Sequence, residues 1–224
     1  MQHIGIYGFT KKSLKLIESF SETNLEKLES LEQLRWLENN LKIGVFYTQN
    51  KSLGVDTFDD LKKVEKILML KKIKILFSDV DGILTDGKIW YGNEGEELKG
   101  FHSRDGLAIK LLMKNGIEFA LISARDSKPL RRRAKDLGIK YCIFGQEDKV
   151  TGCKEVLSDL NIDKSKAAYI GDDNIDIPAM DYCGMSFTVS DAVKPVLDKA
   201  DIILKSKGGE GAIREVAELI FDPK

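Results

Sequence analysis

Cysteine, charge of one sign and long apolar runs are all in short supply in this chain, and each shortage excludes something. The three cysteines, Cys142, Cys153 and Cys183, form no CxxC pair. Their odd number argues against a complete disulfide framework, and buried free thiols are the simplest reading. Lys+Arg of 35 against Asp+Glu of 36 gives a net charge of −1, so no basic field advertises nucleic acid or an anionic membrane. A small anionic ligand would need local charge instead. The apolar runs are too short to cross a bilayer, and Met1 is followed by Gln2 and His3 instead of a basic stretch and an apolar one. The expectation is a cytoplasmic protein with no nucleic-acid or membrane partner. Repeats and low-complexity segments are missing as well.

What is present is enough for a good core: 224 residues, 42% hydrophobic and 32% charged, allow one or two domains. The texture changes near Lys71, which suggests a front segment over 1–70 and a main domain over 71–224. The front segment opens with a strand-like His3 to Phe9. Leu28, Leu31, Leu34 and Leu37 then recur every third residue, as in an amphipathic helix. A short strand, IGVFYT, follows, and Thr57 with Asp60 resembles a capping box opening a helix. These features predict a small α+β segment.

From Ile73 onward, strands and helices alternate. Apolar runs at 73–78, 117–122, 139–144, 167–170, 185–189 and 202–204 are separated by helical patterns, with Ser127 placed as a helix cap and Gly116 and Gly138 as stops. This alternation predicts an α/β domain, a Rossmann-like parallel sheet with helices on both faces, whose sites gather beyond the carboxyl ends of the strands.

The first of those ends reads FSDVDGILTDG, Phe77 to Gly87. Asp79 and Asp81 close a strand with two carboxylates at i and i+2, which repel unless something positive lies between them. Ser123 closes the next strand, followed by Arg125. Lys149 starts a helix where a cation opposes the macrodipole, and 167–170 runs into GDDNID with Asp172, Asp173 and Asp176. Singly, each has a dull explanation as a turn, a cap or a solvated face. Together they put acids at two strand ends beside a lysine and a hydroxyl. The simplest relief is a divalent cation, and an oxygen-only donor set favours Mg²⁺ over zinc. A magnesium ion there makes a phosphate site in which a carboxylate can act as nucleophile.

These four segments, in this order, resemble the motifs of the haloacid dehalogenase-like phosphatases. The resemblance implies that Asp79 attacks phosphorus, that Asp81 protonates the leaving oxygen and then deprotonates water, and that Ser123 and Lys149 hold the phosphoryl oxygens. Asp79, Asp81 (through its backbone carbonyl) and Asp172 would hold Mg²⁺, with Asp173 and Asp176 in support and Asp176 orienting Lys149. A narrower resemblance, over Lys72 to Phe221, is to the 3-deoxy-D-manno-octulosonate 8-phosphate (KDO 8-phosphate) phosphatases. It rests on TDGKIWYGNEGEELKGFHSRDG, SAR, GQEDK and the tail KGGEGAIREV. It implies a fold without a large cap, a β-hairpin between Asp86 and Arg104 with Gly92-Asn93 as its turn signal, and a homotetramer in which a neighbour's glycine-rich tail closes each site. Substrate positions would be His102, Ser103, Arg104, Asp105, Gly106, Lys110, Arg125, Arg133 and Arg214. Lys110 stands where the family pattern has Arg, and Lys gives no bidentate carboxylate clamp. Arg131 and Arg132 read as a wet helix face, and Trp36 and Trp90 as packing residues.

The front segment, in particular SLEQLRWLE with VDTFDDL, resembles the C-terminal part of 3-deoxy-manno-octulosonate cytidylyltransferase. That resemblance implies Asp56 as a magnesium ligand, Glu29 to Arg35 near a sugar site, and a cytidylyltransferase N-terminal half as a partner. No basic glycine-containing nucleotide loop precedes it, so no cytidylyltransferase activity is expected of this chain alone. The overall expectation is a Mg²⁺-dependent phosphatase of a sugar-acid phosphate, KDO 8-phosphate, in lipopolysaccharide precursor synthesis. The alternatives are a phosphatase for a nine-carbon sialic-type acid 9-phosphate and a non-catalytic oligomerisation module.

Overall fold

The structure, a computed structural model, describes residues 5–48 and 54–223. It divides into two compact units, Met1–Val55 and Asp56–Lys224. The expected boundary near residue 70 falls instead at the end of a helix, Phe58–Lys72, that is grouped with the larger unit.

In the smaller unit the described residues form three short helices, α1 (Lys11–Glu18), α2 (Asn24–Glu29) and α3 (Glu32–Glu38), and no strand. Residues 5–9 and 43–48 are irregular, and His3 lies outside the described residues. Among the described residues the segment is helical, without the strands of the α+β expectation. An apolar run favours extended backbone, but a strand needs a ladder with a neighbouring strand, and the described residues of these runs are in none. The Leu-rich stretch is not one helix either: Ser30 adopts a left-handed φ of 55° and separates α2 from α3. The break lets Trp36 tuck in edge-on against Tyr7 and Phe9, with ring centroids 5.2 and 5.1 Å away, so Trp36 is a packing residue. Beside it Arg35 forks onto both oxygens of the buried Glu26, which also accepts from the Thr23 N–H in a capping box.

The larger unit begins with α4 (Phe58–Lys72), whose Thr57–Asp60 capping box is present as expected. It is built on a six-stranded, all-parallel sheet in the order β5-β4-β1-β6-β7-β8. The strands are β1 (Ile75–Ser78), β4 (Glu118–Ser123), β5 (Tyr141–Phe144), β6 (Ala167–Ile170), β7 (Met185–Thr188) and β8 (Ile202–Ile203). The connecting helices are α5 (Ser103–Lys114), α6 (Lys128–Leu137), α7 (Lys149–Leu160), α8 (Ile177–Tyr182), α9 (Lys194–Lys199) and α10 (Ala212–Phe221). The central strands β1 and β6 are buried at every residue, as a strand covered on both faces must be. The insertion after β1 forms an antiparallel hairpin of β2 (Trp90–Gly92) and β3 (Gly95–Leu98). Its loop is Asn93-Glu94, one residue beyond the expected turn. Trp90 is 60% exposed on this hairpin, so within the chain it does not pack as expected. Among the described residues no helix is long and apolar enough to cross a membrane.

Candidate active site

The register of the sheet brings the acids together. Ser78 pairs with Ile170 of β6 and with Leu121 of β4, so the residues after it, Asp79 onward, lie between the 171–173 turn and Ser123. Carboxylate oxygens of Asp79, Asp172 and Asp176 all lie within 4.8 Å of one another. Gly82, at φ 91°, makes room for this: a Cβ there would stand 2.0 Å from Asp172 Oδ2.

Lys149 is the cation of the cluster. Its Nζ lies 2.9 Å from Asp79 Oδ1 and 2.6 Å from Asp176 Oδ1, and the residue is 3% exposed. Burial alone would lower its pKa, but Asp79 and Asp176 outweigh burial and hold it above the usual lysine value. The two carboxylates also offset the macrodipole of α7, where Lys149 is the first helical residue. Asp176 has no spare acceptor capacity. Its Oδ1 takes Lys149 and the Tyr169 hydroxyl at 2.8 Å, and its Oδ2 takes the N–H groups of Asp172 and Asp173 at 3.1 Å each. Asp176 therefore orients Lys149, and Asp79 and Asp172 are left to meet a ligand.

Those two carboxyls are the strained members. Desolvation, then the charge of Asp176, raises Asp79 to about 7 despite Lys149. Desolvation, then Asp79 and Asp176, raises Asp172 to about 8. Asp172 Oδ1 is buried and has no hydrogen-bond partner, an arrangement that costs free energy unless something positive meets it. Oxygen donors alone, with no histidine or cysteine in the cluster, suit Mg²⁺.

Asp81 stands apart from this cluster. Its Oδ1 accepts from Lys99 Nζ at 2.5 Å and from Thr85 Oγ1 at 3.3 Å, and its Oδ2 lies 3.9 Å from Arg125 Nε. Strand-end reading missed Lys99, which follows β3 and sits at no strand end of the main sheet, and it missed the aromatic support from Tyr169. Ser123 is buried at the end of β4 and accepts from the Arg125 N–H at 3.1 Å. Arg125 also reaches the Tyr91 hydroxyl of the hairpin at 3.5 Å.

The expected substrate residues divide. His102 caps α5, its Nδ1 accepting from the Arg104 N–H at 3.2 Å. The guanidinium of Arg133 lies over the Phe101 ring and so close to Gly106 that a Cβ there would meet it at 2.4 Å. Ser103, Arg104 and Lys110 are exposed, and Lys110 is two turns along α5 from its start. Asp105 is 1% exposed, and its Oδ1 accepts from the Arg214 N–H at 2.9 Å, so it ties α5 to the start of α10. The Arg214 side chain pairs with Glu218 on its own helix at 2.7 Å. The tail packs within the chain: Gly209 N–H donates to Ile83 C=O at 2.9 Å, and a Cβ on Gly208 would sit 2.1 Å from Gly82 C=O. Asp173 caps the turn 174–176. Arg131 and Arg132 pair with Asp126 and Asp136 on the wet face of α6, as expected. Ser127 begins α6, but its hydroxyl makes no cap bond. Asp56 is exposed and belongs to no acidic cluster among the described residues.

Residues 143–216 match the haloacid dehalogenase-like hydrolase family. The 3-deoxy-D-manno-octulosonate 8-phosphate phosphatase KdsC of Haemophilus influenzae is 46% identical over 152 residues, 68% of this chain and 84% of that protein. The chain belongs to the KDO 8-phosphate phosphatase family. Among solved KDO 8-phosphate phosphatase structures, that from Moraxella catarrhalis, in complex with magnesium, phosphate and KDO, superposes with a TM-score of 0.68 at 43% identity and covers 70% of this chain and 90% of its own. The cobalt-bound form from Haemophilus influenzae superposes with a TM-score of 0.67 at 46% identity, covering 68% and 90%. Both describe metal-bound members of the fold in which the Asp79–Asp172 pair stands.

Proposed function

We infer that the chain is a Mg²⁺-dependent phosphatase that hydrolyses KDO 8-phosphate to KDO and phosphate. The observation that carries this reading is the buried group of Asp79, Asp172, Asp176 and Lys149 at adjoining strand ends, in a chain 46% identical to a KDO 8-phosphate phosphatase. Mg²⁺ held by Asp79, Asp172 and the Asp81 carbonyl would neutralise charge on the phosphoryl group. Asp79, which the bound ion would keep ionised, attacks phosphorus to form an aspartyl phosphate. Ser123 and Lys149 hold the phosphoryl oxygens, while Asp81 gives a proton to the departing sugar oxygen and takes one from the water that attacks the intermediate. Arg125 and Arg133, beside the hairpin and α5, are the cations placed for the sugar carboxylate.

The finer assignments belong to the same proposal. Self-association, read as a cytoplasmic homotetramer by family resemblance, is favoured by the exposed Trp90, Tyr91 and Leu98 of the hairpin, 60–68% accessible. A cytidylyltransferase N-terminal half is the partner that the front segment suggests, and its exposed Ile6 and Phe46 favour a larger fold around it. The test is turnover of KDO 8-phosphate, a nine-carbon sialic-type acid 9-phosphate and simple sugar phosphates, with and without Mg²⁺. The expected result is a kcat/KM highest for KDO 8-phosphate and dependent on Mg²⁺. A preference for the nine-carbon ester would move the assignment, and no turnover of any ester would leave the scaffold alternative.

A further inference from the structure

Lys99 is a lysine with an enclosed side chain near the site that the phosphatase scheme does not use. Its side chain is 0% exposed, and its Nζ meets Asp81 Oδ1 at 2.5 Å. A side chain closed off in this way does not offer its ammonium to a ligand arriving from solvent. Asp81 is among its partners. A lysine is a donor only, so Oδ1, accepting from Lys99 and contacted by Thr85, is not where a proton on Asp81 can rest. The proton is confined to Oδ2.

Resting on the reading of Asp81 as the acid and base, we propose that Lys99 is a positioning residue for the leaving-group step. It locks the Asp81 carboxyl so that Oδ2 carries and delivers the proton. As Asp79 forms its bond to phosphorus and the bond from phosphorus to the sugar oxygen breaks, the Oδ2 proton passes to that oxygen, and the carboxylate left behind keeps its contact with Lys99. Lys99 directly follows β3 of the hairpin, so an insertion whose strands lie outside the main sheet sets the geometry of the acid.

A proton donor matters for a poor leaving group and little for a good one. The experiment therefore compares kcat/KM for KDO 8-phosphate and a simple alkyl phosphate with that for p-nitrophenyl phosphate, in the full chain with Mg²⁺. Lys99→Met is expected to lose about 10²-fold on both alkyl esters and to stay within about threefold on the aryl ester, which a general acid contribution of this size predicts. Lys99→Arg should recover most of the loss. Adding Lys99→Met to Asp81→Asn should cost nothing further, since both act on one proton transfer. If Lys99→Met does not fold, Lys99→Leu, which likewise removes the donor, carries the same comparison. Equal losses on alkyl and aryl esters, or additive losses in the double variant, would overturn the proposal while leaving the phosphatase assignment standing. If Asp81→Asn itself shows no leaving-group dependence, the reading of Asp81 as acid fails and the proposal fails with it.

Discussion

In residues 56–224 the buried Asp79, Asp176 and Lys149 gather in one crevice with Asp172 and answer one another, whereas in residues 5–48 the buried Glu26 pairs with Arg35. The apolar side chains differ in the same sense. Phe77, Phe119 and Phe187 of the larger unit are 0% exposed, while Phe46 and Ile6 of the smaller are 95% and 84% exposed. A sheet covered on both faces closes its own core, and three short helices around one tryptophan do not. The larger unit should therefore carry both stability and chemistry without help from the smaller, and its site should be the place where substitutions tell.

The largest effect is expected from Asp79→Asn. The amide keeps the shape but removes the nucleophile and a charge next to the metal, so kcat should fall by roughly 10³-fold or more with the fold retained; activity near wild type would break the contrast. Next comes metal dependence. EDTA should stop turnover and Mg²⁺ restore it, and the two raised carboxyls add a pH signature. Asp79 and Asp172, at about 7 and 8 in the folded chain, lie above their unfolded values. In metal-free protein the stability they contribute is present below the unfolded carboxylate range and is lost as pH rises through 7 and 8. Mg²⁺ should therefore raise Tm more at pH 8.5 than at pH 6, where protons compete for the same oxygens. A pH-independent shift would place the ion elsewhere. Gly82→Ala should weaken Mg²⁺ activation by about tenfold or more, because the new Cβ meets Asp172 and φ there is 91°; unchanged activation would mean the pair is not the metal site. The smallest effect is expected from deleting residues 1–55, with kcat/KM within about threefold and the main thermal transition shifted by only about 2 °C. A large loss would show that the two regions are not as unequal as they look.

How far the sequence was legible follows the same division. Where candidate site residues lie at strand ends, as at Asp79, Ser123 and Asp172, the alternation of apolar runs located them, because in a parallel sheet neighbouring strands end on one side. The capping box at Thr57 was readable for similar local reasons, and the Asp176–Lys149 contact was expected from the family resemblance. What was not readable depended on long-range closure. Lys99 reaches Asp81 across 18 residues, and Asp105, assigned to substrate by resemblance, ties two helices together across 109. The glycine tail, expected from the family resemblance to cover a neighbour's site, packs against its own Gly82 and Ile83. In the front segment, apolar runs predicted strands, and the described residues 5–9 and 43–48 form none, since periodicity reports a preference for extended backbone and not the presence of an edge to pair with.

The measurement that tests the central claim most directly is rapid quenching during turnover of KDO 8-phosphate with Mg²⁺, followed by peptide mapping. The account predicts a transient phosphoryl group on Asp79, formed in a burst and lost in Asp79→Asn. Steady turnover with no phosphorylated peptide, or with the phosphoryl group on a residue other than Asp79, would contradict it.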